Sequence, residues 1–336
     1  MRQHAKDTSA WLSALAVAAL ILDSKTATRA GLEAVDLCIR VLIPSLFPFF
    51  VFSPMLAAGD FGRALRPIAR FIRIPDGAET LLIASFLGGY PVGASLVAYH
   101  CRSGDLSAED GRRMMAFCSN AGPSFIFGVG AQLFPSIRYC WALWLIHLVS
   151  AIIVGLLTPG KSSRTFHSAR QEISITDGVK KGVLIMASVC AWVIIFRILL
   201  SFCDRWFLWI FPSHIQILFS GFLELANGCS AISKLEPIGM RMVFFSAFLG
   251  FGGMCVWLQT KAVTVGVNSY AYLPGKLTHC ACSILLSTMI QPILNQTDRF
   301  YAPWWIIVIC CLVPFCYRIF HQKNIIEGRN PALIGV

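Results

Sequence analysis

The residues able to do chemistry in this chain sit where apolar sequence is interrupted. In "SFLGGYPVGASLVAYHC", Ser85 to Cys101, the residues Gly88, Gly89, Tyr90, Pro91 and Gly93 break a run otherwise apolar enough for a membrane. An uninterrupted spanning helix wants Leu or Ile there, because Gly and Pro weaken a helix interior. "SNAGPSF" places Ser119, Asn120, Gly122 and Ser124 around Pro123. That proline removes one backbone donor and frees a carbonyl upstream. "ELANGCS" carries Glu224, Asn227 and Gly228, and "GFGGMCVWLQ" carries Gly252, Gly253 and Gln259. Backbone groups freed at such breaks are tolerated in a membrane only when buried in protein or facing a wet cavity, where they can grip a ligand.

Each polar side chain has two readings. Asn120 and Asn227 suit contact with a ligand or ion, and equally suit a helix cap or an interhelical amide. Ser119 and Ser124 bind or simply pack. Glu224 is the carboxylate inside its interrupted segment, where a midplane charge costs roughly 2.5–3.5 kcal/mol on insertion scales. It must pair, take up a proton or face water, which suits coupling to Na+ or H+; near the interface it would be ordinary. His147 and His279 can each donate and accept as neutral imidazoles, or be satisfied packing residues. Lys276, one turn before His279, attracts an anion or snorkels from a span end. Arg40 and Arg197 invite the same pair of readings, Gln259 is a hydrogen-bonding candidate, and Trp141, Trp144, Trp304 and Trp305 read as interfacial anchors.

Positioning these residues falls to membrane helices. Of 336 residues, 56% are hydrophobic and 13% charged, the latter about half the ordinary soluble share of roughly 25%. Mean hydropathy is +0.68. Full spans are expected near 8–24, 33–57, 112–134, 139–158, 179–203, 240–264, 272–292 and 302–320, the first as a retained span and not a cleaved signal. Interrupted segments near 80–100 and 211–235 are expected as re-entrant hairpins with tips at Gly89 and Gly228. With those two counted as non-spanning, seventeen loop Lys and Arg fall on the N-terminal side and seven on the other. Positive-inside bias then puts both termini in the cytoplasm. The same bias explains the net charge of +11, since the basic residues form no nucleic-acid stripe. Thirteen cysteines lie mostly inside apolar runs and read as reduced packing residues, without metal-ligand spacing. "DFGRALRPIARFIRIPD" reads as an amphipathic helix on the cytoplasmic face with arginines toward head groups, or as an oligomerisation arm. No Walker loop, HExxH or nucleophile motif is present, so an enzyme or an ATP-driven pump is not expected.

The chain also repeats itself. "RMMAFCSNAGPSFIF" from Arg113 matches "RMVFFSAFLGFGGMCVW" from Arg241, "SFLGGYPVGAS" matches "GFLELANGCS", and "LIHLVSAIIVG" matches "LTHCACSILLS", which aligns His147 with His279. Three crossings separate the copies, so the second is inverted. Inverted repeats with broken helices point to a transporter with a midplane site. The expected organisation is an N-terminal span (1–30), a first repeat (31–160), a cytoplasmic linker (161–178), an inverted repeat (179–295) and a C-terminal span with a basic tail (296–336).

"LIPSLFPFFVFSPML", "FLGGYPVGASLVA", "FCSNAGPSFIFGVG", "GFLELANG" and "FLGFGGMCVWLQ", taken in order over roughly residues 30 to 295, resemble the sporulation integral membrane proteins of the YlbJ family, with their nucleoside recognition or Gate domain. That domain is similar to the core of concentrative nucleoside transporters, in which two re-entrant hairpins and two broken helices surround the substrate. The resemblance implies a permease of a spore-forming bacterium, without cofactor, in the cytoplasmic membrane or the mother-cell-derived outer forespore membrane. Its implied cargo is dipicolinic acid, moved toward the forespore. Trp257 stands where the family carries a histidine before Leu-Gln, so that histidine's role does not transfer. Two other functions fit the residues: transport of a nucleoside or nucleobase, and a non-transporting Gate-domain scaffold.

Overall fold

The computed structural model describes residues 2–294 apart from 59, 161–165 and 167–172. Every regular element among these residues is helical, and none is a strand. Helix α1 (Arg2–Leu22) leads into α2 (Ser24–Leu37), which continues through a π-helical turn, Cys38–Leu42, into α3 (Ile43–Ala58). Next come α4 (Arg66–Phe71), α5 (Glu79–Gly88), α6 (Val92–Ser103), α7 (Ala108–Met115) and α8 (Pro123–Leu133). The long helices α9 (Ile137–Leu157) and α10 (Ile175–Trp206) follow. The chain ends its described part with α11 (Ser213–Leu223), α12 (Leu225–Ala231), α13 (Ile238–Phe251), α14 (Gly253–Val263) and α15 (Tyr272–Leu294).

Five helical stretches are long and apolar enough to cross a membrane: Ser24–Leu56, Ile137–Leu157, Ile175–Trp206, Ile238–Val263 and Tyr272–Leu294. At 1.5 Å per residue each covers a hydrocarbon core of about 30 Å. Leu184, Ile195, Met289 and Ile293 stand exposed on these helices, as lipid-facing positions require. Inside, α15 packs against α13 and α9, and α10 against α2 and α3. One apolar core gathers Phe50, Ile126, Phe245 and Leu249. A second gathers Ile72, Leu82, Met115 and Phe117.

Local chemistry sets the breaks. α7 starts at Ser107, whose hydroxyl accepts from the Asp110 N–H and donates to the Asp110 carboxylate, a capping arrangement. α8 starts at Pro123, favoured at the first helical position because its missing N–H is unpaired there anyway. Residues 116–122 between them are non-helical. The expected continuous span at 112–134 is therefore two helices joined by a non-helical segment.

Other expectations are also corrected. The arginine-rich segment is not one amphipathic helix: a 3₁₀ helix, Asp60–Leu65, hands over to α4 at Pro67, and Pro75 lies just beyond a turn at Arg73. Arg66 pairs with Glu79 and Arg70 with Asp76, so those two cations meet carboxylates of the same chain. The second interrupted segment turns at Glu224, between α11 and α12, and not at Gly228, which lies inside α12. The expected span at 302–320, Trp304, Trp305 and the tail at 296–336 lie outside the described residues.

Candidate functional site

All four interrupted segments meet at one cavity. Gly89 and Tyr90 come from the α5–α6 turn, Ala121 and Gly122 from the non-helical segment before α8, Glu224 to Ala226 from the α11–α12 turn, and Val256 and Gln259 from α14. Leu42, Leu46, Phe125, Val189 and Val193 close the walls around about 470 Å³ of empty space, its mouth included. That mixture, apolar walls with a few convergent polar groups, is the lining that small-molecule sites carry.

Tight backbone packing builds the junction. Gly89 has φ +72°, and a β-carbon there would lie 2.9 Å from the Gly122 nitrogen. Both strain and collision exclude other residues. Gly93 leaves no room between α6 and the Cys118 carbonyl, and Gly88 lies against Ser53 and Val92. Gly228 packs directly on Gly221 of α11, which holds the second hairpin closed. Gly252 and Gly253 both have φ +85° at the α13–α14 break. Gly253 faces the Leu223–Leu225 turn, while Gly252 faces the Tyr90 ring. The α5–α6 turn thus rests on the break before α8 and the α11–α12 turn on the α13–α14 break, and Tyr90 bridges the two.

Glu224 is 2% exposed. Its carboxylate accepts from the Ala226 N–H at 2.9 Å, the Asn227 N–H at 2.7 Å and the Asn227 Nδ2 at 2.7 Å. This is the capping role, at the cavity wall. Asn227 does not reach the cavity; its amide anchors Glu224. Asn120 is buried beside the cavity, donating to the Phe117 carbonyl at 2.6 Å. Gln259 lines the cavity and donates to the Cys255 sulfur. Ser124 is buried without a hydrogen-bond partner among the described residues, and Ser119 faces the Tyr272 hydroxyl.

Behind the cavity lies a basic layer. His147 Nε2 accepts from the Ala121 N–H at 3.0 Å, and His147 Nδ1 lies 3.0 Å from His279 Nε2. The two histidines matched in the sequence are therefore in contact, but neither lines the cavity. Lys276 is fully buried, which removes the snorkelling reading. Its Nζ lies 3.0 Å from the Tyr90 hydroxyl and 3.4 Å from Asn120 Oδ1. Arg40 pairs with Asp36, and Arg197 with Glu33; neither is part of the cavity wall. Trp257 sits under Lys261, 4.5 Å from ring centroid to Nζ. Trp141 and Trp144 stack edge-on with Phe127. Leu42, Leu46, Val189 and Val193 escaped sequence reasoning, because an apolar residue on a spanning helix reads the same whether it faces lipid or a cavity.

These features define an all-helical, polytopic integral membrane protein with an internal cavity. The chain is 24% identical over 273 residues to the sporulation integral membrane protein YlbJ of Bacillus subtilis (strain 168), a match covering 67% of each protein. No known family profile matches the chain. No solved structure matches it.

Proposed function

We propose that this chain is a multi-pass secondary permease that carries a small organic anion through the cavity where its four interrupted segments meet. That convergence carries the proposal, because unpaired backbone at membrane depth needs a cavity to face. In this reading the α5–α6 and α11–α12 pairs are re-entrant hairpins, and the two halves are inverted repeats. The matched packing of each turn on its own break supports this, as do Arg113 and Arg241. These equivalent arginines both donate to backbone carbonyls, Arg113 to those of Ile72 and Arg73 and Arg241 to those of Leu133 and Leu235. Both termini lie in the cytoplasm of a spore-forming bacterium, and no catalysis or cofactor takes part. The likeness to a protein named for sporulation, together with the Gate-type motifs, favours dipicolinate as cargo.

Vesicles holding the purified chain, preloaded with unlabelled dipicolinate, should exchange it for labelled dipicolinate faster than protein-free vesicles. Uridine preloaded in the same way should not exchange. Exchange of uridine alone would transfer the function to nucleosides, and inertness toward both would leave the scaffold reading.

A further inference from the structure

We propose that Lys276 is a proton-coupling group, taking up a proton as an anionic cargo enters the cavity and returning it as the cargo leaves. This rests on the permease reading and names the coupling ion for it.

Among the described residues, the surroundings of Lys276 are arranged around a donor without a counter-anion. The Tyr90 hydroxyl donates to the Leu249 carbonyl at 3.1 Å, so its lone pairs are free for the Lys276 Nζ. Asn120 turns its NH₂ to Phe117 and therefore its oxygen to the lysine. The Tyr90 ring lies 5.0 Å from Nζ, a cation–π distance. All of these partners are neutral. A buried ammonium in such a place is unfavourable until an opposite charge arrives.

Among the described residues, no carboxylate faces Lys276 from the elements packed on α15. The 116–122 segment contributes Cys118 and Asn120, α9 contributes His147, and α15 itself contributes Tyr272, His279 and Cys280. α13 brings the Leu249 carbonyl, with Gly250 against Cys280. On α7, Arg113 is held by the Ile72 and Arg73 carbonyls and Asp110 by Ser107. Glu224, on the cavity wall, is occupied by the start of α12.

The histidines are held as neutral bases by the order of their hydrogen bonds. His147 Nε2 accepts from Ala121, so its proton sits on Nδ1 and is donated to His279 Nε2. The His279 proton then sits on Nδ1, which has no hydrogen-bond partner among the described residues. Lys276 is left as the group whose charge can change. It is also one residue removed from the cargo: Tyr90 touches both Lys276 and the cavity, and Asn120 precedes the wall residues Ala121 and Gly122. A carboxylate seated against Tyr90 supplies the missing countercharge. An N–H bond then forms between the Nζ lone pair and a proton from the side of entry, and the same bond breaks on release.

The full chain in vesicles, with membrane potential clamped to zero, tests this directly. For one proton per cargo, an inward gradient of one pH unit should drive about tenfold accumulation of labelled dipicolinate above protein-free vesicles. Lys276→Met should lose the accumulation that the gradient drives. Should the Met variant not be recovered as monodisperse protein, Lys276→Arg, which keeps a permanent cation, must also lose the gradient response. Wild-type accumulation indifferent to the gradient, or a response that survives both substitutions, overturns the assignment of Lys276 while leaving the permease reading intact. Absence of dipicolinate exchange in the wild type overturns both.

Discussion

Glu224 illustrates how one side chain can carry a whole turn. Its two oxygens accept three hydrogen bonds, two from the N–H groups that open α12 and one from the Asn227 amide. A buried donor left without an acceptor costs about 1–3 kcal/mol. Glu224→Leu should therefore lower the melting temperature of the detergent-purified chain sharply, since three donors lose their partner at once. Glu224→Gln keeps one acceptor oxygen and should fall between Leu and wild type. Equal melting temperatures for all three would show that the α12 start is satisfied by other means. The pairing also revises the part played by Asn227, whose amide serves the turn and not the cargo.

At the scale of elements, the α5–α6 pair is docked by backbone contact on the 116–122 segment, with Gly89 on Gly122 and Gly93 on the Cys118 carbonyl. Ten helical residues in α5 and twelve in α6 reach about 15–18 Å each, half a hydrocarbon core. The re-entrant hairpin of the proposed function, at that depth, returns to the face it left. Cysteines placed at exposed Asp76 and Ser103, in a background lacking the native cysteines, should thus both react with an impermeant thiol reagent from the cytoplasmic side. Ala78, nearer the start of α5, is buried and would report burial instead of sidedness. Reaction from opposite faces would make the hairpin a span and remove the inverted repeat.

On the scale of the whole molecule, α9 and α15 are joined through a polar seam. His147 meets His279, and the Ser283 hydroxyl donates to the Ser150 hydroxyl at 3.1 Å. Small residues let such helices approach closely in a membrane, where packing and interhelical hydrogen bonds drive association. The double variant Ser150→Cys, Ser283→Cys should consequently form an intramolecular disulfide on mild oxidation, detected by mass spectrometry of linked peptides. A Ser150→Cys, Leu145→Cys control, with both cysteines on α9 and five residues apart, should not. Failure of the 150–283 pair to cross-link would separate the two helices and dismantle the basic layer behind the cavity.

Much of this was legible in the chain itself. Apolar run length marks helices that cross a membrane, because hydrocarbon thickness and helical rise fix the count of residues needed. Gly and Pro inside those runs marked three of the four breaks that now meet the cavity, and internal similarity paired His147 with His279 before any contact was visible. Three matters were settled only in three dimensions. The second turn fell at Glu224 and not Gly228, because a carboxylate that caps a helix start outweighs a glycine free to pack on Gly221. The arginines of the 60–76 segment found Glu79 and Asp76, partners that become neighbours only once α4 folds back toward α5. Lys276 went inward, since its direction depends on which face of α15 meets Tyr90 and Asn120, residues more than 150 positions away. Local composition sets where a helix begins, breaks and ends; which of its faces meets water, lipid or a buried partner is a property of the packed whole.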